Sequence, residues 1–206
     1  CCRDATLGVM GVVGAQKKCL WVGELFEEPG WRPLLFEFYQ DAGSRLIDWH
    51  IEHCIKVLCF YHPDDAAALK AEQIAKLQEL QAAANKVGRE LLIEIIAGKH
   101  GTLDARTIPR ALEVMYAAGL KPDWWKLEPQ ASAEAWRSID ATIKANDPWC
   151  RGVVLLGLEA RQTELEIGFA AGQAASVVKG FAVWRTIFGA AARGWRGGNV
   201  QYGRGV

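Results

Sequence analysis

Pro122-Asp123-Trp124-Trp125-Lys126-Leu127-Glu128-Pro129 is a short apolar segment with a lysine inside it and a Glu-Pro that ends it. Strand side chains alternate between faces, so Trp124 and Lys126 point one way and Trp125 and Leu127 the other. If the strand belongs to a barrel, one of those faces is a closed interior. A lysine buried there loses hydration, which favours the neutral amine. A neutral amine is what attacks a carbonyl to form a Schiff base. The other reading is a lysine that snorkels or pairs with a carboxylate at a strand end.

Working outward, strand-like and helix-like segments alternate. Cys19–Val22 and Leu34–Phe38 are short apolar runs, and Ile55–Tyr61 is rich in β-branched and aromatic residues. His62-Pro63-Asp64-Asp65 then forms a turn, with an aspartate placed to cap the next helix. That helix is expected over 66–86, with Leu69, Ile74, Leu77 and Leu80 as its apolar stripe and Gly88 as its C-terminal signal. The unit repeats: strand 91–96 carrying Glu94, helix 107–118, strand 124–127, helix 132–146, strand 152–158, helix 162–175, strand 179–183 and helix 187–195. Strands spaced by helices imply parallel βα units, and strands apolar on both faces imply a sheet covered on both sides.

An open doubly wound sheet and a barrel share this alternation. The chain contains no GxGxxG after a strand and no GxxxxGK[ST]. Polar residues recur on or just after successive strands: Lys56, Glu94, Lys126, Glu128, Glu159, Arg161 and Arg185. Barrel enzymes build their sites at those strand ends. The expectation is therefore a parallel (β/α)8 TIM-type barrel in one domain over residues 1–206. Such a barrel typically takes roughly 250 residues, so one or two N-terminal strands are expected to be missing from this chain. Residues 1–18 and 197–206 have no assigned element.

Composition excludes other classes. The 206 residues carry no net charge, whereas nucleic-acid binding needs a basic surplus. No apolar run reaches the roughly 18 residues that span a bilayer, and Cys1-Cys2-Arg3-Asp4 does not open a secretory signal. Six cysteines without a CxxC read as buried thiols of a reducing cytoplasm, with the adjacent, terminal Cys1 and Cys2 left without an assigned role. His50, His53 and His100 show no metal spacing, and no cofactor is expected. His62 beside Pro63 reads as a turn residue, and the nine tryptophans read mostly as core and interface mass.

Five segments carry a resemblance when taken in order: Lys56–Asp65, Leu91–Ile96, Pro122–Leu127, Arg151–Leu158 and Lys179–Val183 with Arg185–Phe188. Together they resemble the aldolase-like domain fused behind the sugar kinase (5-dehydro-2-deoxygluconokinase) of bacterial myo-inositol catabolism. That domain is in turn similar to class I tagatose-bisphosphate aldolases. The resemblance implies that Lys126 forms the imine, that Glu94 transfers protons, and that Lys56 holds substrate or favours the neutral amine by like-charge repulsion. It also implies a phosphate bound around Gly157, Gly180, Arg161 and Arg185. The implied reaction splits a phosphorylated keto sugar, 6-phospho-5-dehydro-2-deoxygluconate, into dihydroxyacetone phosphate and malonate semialdehyde. A kinase domain as partner or fusion and a homo-oligomer are further expectations. The alternative is a non-catalytic phosphosugar-binding or oligomerisation module. Two departures favour that alternative: Trp184 stands where the resembling proteins carry glycine before Arg-Thr, and the N-terminal strands expected of the barrel are missing.

Overall fold

Trp124–Leu127 forms a strand with a partner on each side, and the sheet extends from it in both directions. The computed structural model describes residues 2–3, 22–36, 42–47, 49, 53–157 and 162–183. Within them, seven strands form one sheet: β1 (Cys2–Arg3), β2 (Val22–Leu25), β3 (His53–Phe60), β4 (Leu91–Ile96), β5 (Trp124–Leu127), β6 (Gly152–Gly157) and β7 (Val178–Val183). Five helices alternate with them: α1 (Ala42–Ile47), α2 (Ala67–Lys86), α3 (Thr107–Ala117), α4 (Ala133–Asn146) and α5 (Gln162–Gly172).

Every strand pair is parallel, and spatial order follows chain order from β1 to β7. A doubly wound sheet reverses its order at a switch point; this sheet does not. The result is an α/β fold whose winding is compatible with an incomplete TIM-like barrel. No pairing between β7 and β1 closes it among the described residues.

The two faces of the sheet differ as strand alternation requires. Ile55, Val57, Cys59, Ile93, Ile95, Trp125, Leu127, Val153 and Leu155 face the helices, and they join Leu77 and Leu80 of α2, Leu112 and Met115 of α3, and Trp136 and Ile139 of α4 in the main core. Each such aliphatic side chain stabilises the fold by about 1.5–3 kcal/mol through burial. The indole of Trp125 also donates to the Tyr116 hydroxyl at 2.8 Å. On the opposite face Leu58, Phe60, Ile96 and Leu156 form a second, smaller apolar cluster. The charged side chains discussed below share that face.

Several local expectations change. Cys19–Val22 gives way to a strand at Val22–Leu25, and residues 19–21 lie outside the described set. The described part of the segment expected at Leu34–Phe38, residues 34–36, is not a parallel strand: Phe36 makes only an isolated antiparallel bridge to Glu27, and 37–38 lie outside the described residues. No side chain caps α2. Asp65 turns back instead, accepting the His62 backbone N–H at 2.8 Å and pairing with Arg32. Gln73, Leu77, Leu80, Ala83 and Ala84 are the buried face of α2, while Leu69 and Ile74 are only half-buried. Gln73 is tolerated there because its amide donates to the Phe60 carbonyl at 3.1 Å. The helix expected at 187–195 lies outside the described residues. Among the described residues, no helix is long and apolar enough to cross a membrane.

Candidate active site

Strand register brings the charged residues of the inner face together. In the pairing of β3 to β7, Leu58, Glu94, Lys126, Val154 and Gly180 form one cross-sheet row. Paired residues of parallel strands point to the same side, so Glu94 and Lys126 are direct neighbours. Lys56 belongs to the preceding row, opposite Leu92. Its four-carbon stem carries its ammonium up to the level of Glu94.

The contacts form a chain of alternating charge. Lys126 Nζ lies 3.1 Å from Glu94 Oε2, and Lys56 Nζ lies 2.8 Å from the same oxygen. Lys56 Nζ also lies 2.8 Å from Glu27 Oε1. All four residues are buried: Lys126 is 8% exposed, Glu27 5%, and Lys56 and Glu94 4% each. Two ammoniums and two carboxylates offset one another, which is the condition for keeping charges inside a fold.

The electrostatic consequence is directional. Burial alone would lower the Lys56 pKa, but the carboxylates of Glu94 and Glu27 outweigh it and hold the amine above its ordinary value. Burial alone would raise the Glu94 pKa, but Lys56 and Lys126 outweigh it and keep the acid ionised below its ordinary value. The resting state therefore pairs a carboxylate with two lysines. Glu94 stands between the ammoniums, so its charge offsets the repulsion expected of Lys56 towards Lys126.

Toward the C-terminal ends of the strands, the next row holds Phe60, Ile96 and Leu156, the small apolar cluster. These side chains lie beside the charged row and limit its access to water. Glu128, just past β5, accepts the backbone N–H groups of Ala97 at 2.8 Å and Gly98 at 3.0 Å. Burial raises its pKa, the two N–H groups oppose that, and Glu94 adds to it. Its geometry is that of a strap fixing the turn after β4. On the row of Lys126, a Cβ at Gly180 would meet nothing within 4 Å among the described residues.

The structure thus brings Lys56, Glu94 and Lys126 together. Gly157 ends β6, and Gly180 sits within β7 opposite Val154. Arg161, Arg185, Glu159 and Trp184 lie outside the described residues. Trp124 shares the inner face at the edge of the site, with its indole donating to Glu90 at 3.0 Å. His62 is a buried turn residue whose Nδ1 accepts the Asp64 N–H at 3.2 Å. Among the described residues, no group of three or more His, Cys, Asp or Glu side chains could hold a metal ion. An open depression lined by Leu103, Asp104, Pro129, Gln130 and Ser132 lies at the loops after β4 and β5 and includes none of the charged row.

Glu27 is the site residue that the sequence reading missed. Its signal was present: Leu25-Phe26-Glu27 is an apolar run closed by a carboxylate, as Leu127-Glu128 is. Placing the strand three residues too early hid it.

Comparison with known proteins adds the family and the fold. No curated protein matches the chain. Among solved structures, Cgl0159 from Corynebacterium glutamicum superposes with a TM-score of 0.61 at 16% identity, over 84% of this chain and 58% of that one. This chain therefore spans 58% of the length of that protein, and at such identity the likeness concerns the fold alone. Residues 2–204 match the family described as uncharacterized protein conserved in bacteria (DUF2090), and the chain belongs to that family.

Proposed function

We propose that the chain is a class I, Schiff-base aldolase-type carbon–carbon lyase built on an incomplete (β/α)8 barrel. One observation carries this reading: two lysines and a glutamate from three consecutive strands meet at 2.8 and 3.1 Å on the buried inner face. The assigned roles are Lys126 as nucleophile, Glu94 as proton-transfer group and Lys56 as the cation that holds an oxygen of the substrate.

In this reaction the neutral Lys126 amine adds to a ketone carbon. Loss of water leaves a protonated imine, which carries the same positive charge as the ammonium it replaces. Glu94 therefore keeps the Lys126 cation beside it at the imine stage, and Lys56 remains beside it when the amine or enamine is neutral. The bond between the α and β carbons breaks, and its electron pair flows into the iminium to give an enamine. A base removes the proton of the β-hydroxyl, whose carbon becomes an aldehyde; Glu94 is within reach of that role. Protonation of the enamine and hydrolysis return the amine and release the ketone.

The resemblance supplies the substrate, 6-phospho-5-dehydro-2-deoxygluconate, and association with a kinase domain belongs to the same proposal. The test is release of dihydroxyacetone phosphate from that compound, coupled to NADH oxidation. Lys126→Arg should abolish it, because guanidinium is not a nucleophile at neutral pH. Turnover unchanged in Lys126→Arg would remove the imine.

A second reading, a non-catalytic phosphosugar-binding module, is favoured by one observation. Lys56, Glu94 and Lys126 satisfy one another without a ligand, as a purely structural ion-pair network would. It predicts phosphosugar binding with no product, in the native protein and in Lys126→Arg alike.

A further inference from the structure

Two amines share the charged row, and their surroundings differ by one group. Lys56 Nζ touches two carboxylates, Glu27 and Glu94, each at 2.8 Å. Lys126 Nζ touches Glu94 at 3.1 Å and has no second carboxylate partner among the described residues. Glu27 has no cation other than Lys56 among them, and its Oε2 is buried without a hydrogen-bond partner.

Removing a proton from either lysine therefore has unequal consequences. A neutral Lys126 strands nothing, because Glu94 remains paired with Lys56. Losing the Lys56 ammonium removes the one cation that the Glu27 carboxylate, 5% exposed, touches among the described residues, which a protein interior resists. Glu27 from the end of β2, Glu94 from β4 and Lys126 from β5 are the charged groups facing Lys56 among the described residues.

We propose that Glu27 is a positioning residue that selects between the two lysines: by binding the Lys56 ammonium it withholds that amine from chemistry and leaves Lys126 as the one that reacts. The consequence for catalysis rests on the imine reading above. The difference in amine reactivity does not, so the two can fail separately.

The experiment is trace acetylation with acetic anhydride between pH 7 and 10, quantified at each lysine by peptide mass mapping. The amine nitrogen takes the acetyl group and releases acetate and a proton, so the rate reports the neutral fraction. In the native protein Lys126 should label faster than Lys56. Glu27→Gln should raise Lys56 labelling at pH 8 by roughly tenfold, the effect of lowering an amine pKa by one unit, and should move its pH profile down. Glu27→Asp, one methylene shorter, should give a smaller rise, and it replaces Glu27→Gln if circular dichroism shows that the latter has not folded. Lys56 labelling within twofold of native in the folded variant would overturn the proposal, as would a native Lys56 that labels faster than Lys126. Borohydride with dihydroxyacetone phosphate on the same samples separates the two ideas. No adduct in the native protein alongside the expected acetylation shift removes the imine reading and keeps the selection by Glu27.

Discussion

Replacing Glu94 by glutamine keeps the shape of the side chain and removes the charge that joins the row. In the native protein one Glu94 oxygen receives both ammoniums, at 2.8 and 3.1 Å, in surroundings only 4% exposed. Without it Lys56 keeps Glu27, but Lys126 faces an amide. Breaking a buried ion pair from one side costs about 3–5 kcal/mol. An independent ceiling comes from the escape available to the fold, which is to bury a neutral amine. Neutralising a lysine of ordinary pKa, about 10.4, at pH 7 costs about 5 kcal/mol at 1.36 kcal/mol per unit. The two figures agree, so Glu94→Gln should lose about 3–5 kcal/mol in urea unfolding at pH 7. The loss should also depend on pH. In the variant the unfolded chain binds more protons than the folded one below about pH 10, so variant stability rises with pH by up to about 1.4 kcal/mol per unit. The gap to the native protein should narrow steadily from pH 7 to 9.5. A gap below about 1 kcal/mol that does not move with pH would refute the ion-pair reasoning.

Three further outcomes follow from named contacts. Glu94 has its pKa lowered and Lys56 has its raised, so Glu94 adds stability above about pH 4.3 that is lost as pH falls through its folded value. Lys56 adds stability below about pH 10.4 that is lost as pH rises through its folded value; urea titrations should show a plateau between, with a shallower acid limb in Glu94→Gln. Tyr116→Phe leaves the buried Trp125 indole N–H without the hydroxyl it reaches at 2.8 Å and should cost about 1–3 kcal/mol by chemical denaturation. Gly152→Ala places a Cβ 2.7 Å from the Val177 carbonyl oxygen at a φ of +147°. It should cost about 1–3 kcal/mol and lower the thermal midpoint; an unchanged midpoint would contradict the close approach of β6 to the segment before β7.

The legible parts of the fold were those with strong local signals. Ile55–Tyr61, Leu91–Ile96 and Trp124–Leu127 combine β-branched or aromatic residues with flanking turns, and they are strands in register. Gly88 and Gly119 adopt φ of +65° and +82° just past α2 and α3, as helix stops require. Elsewhere the pattern was outvoted by tertiary contacts. Leu34 is apolar because it fills the core, and among the described residues of 34–36 only Phe36 pairs, in an isolated bridge. Asp65 sits where a cap belongs but gives its carboxylate to Arg32 and to the His62 N–H. The grouping of Lys56, Glu94 and Lys126 was readable only through the family resemblance, because their strands are apolar on both faces and show no clear alternation. Their sharing of one carboxylate oxygen was not, since that depends on register and on the reach of the Lys56 stem. Glu27 was missed because the strand before it was placed three residues too early; the pairing of Leu25 with Lys56 brings it to the row.

The most direct measurement is borohydride reduction in the presence of dihydroxyacetone phosphate, read by intact mass and peptide mapping. A single adduct on Lys126, absent in Lys126→Met and retained in Lys56→Met, is the result expected of an imine-forming site. Adduct on Lys56 alone, or none while dihydroxyacetone phosphate binds by calorimetry, would contradict it.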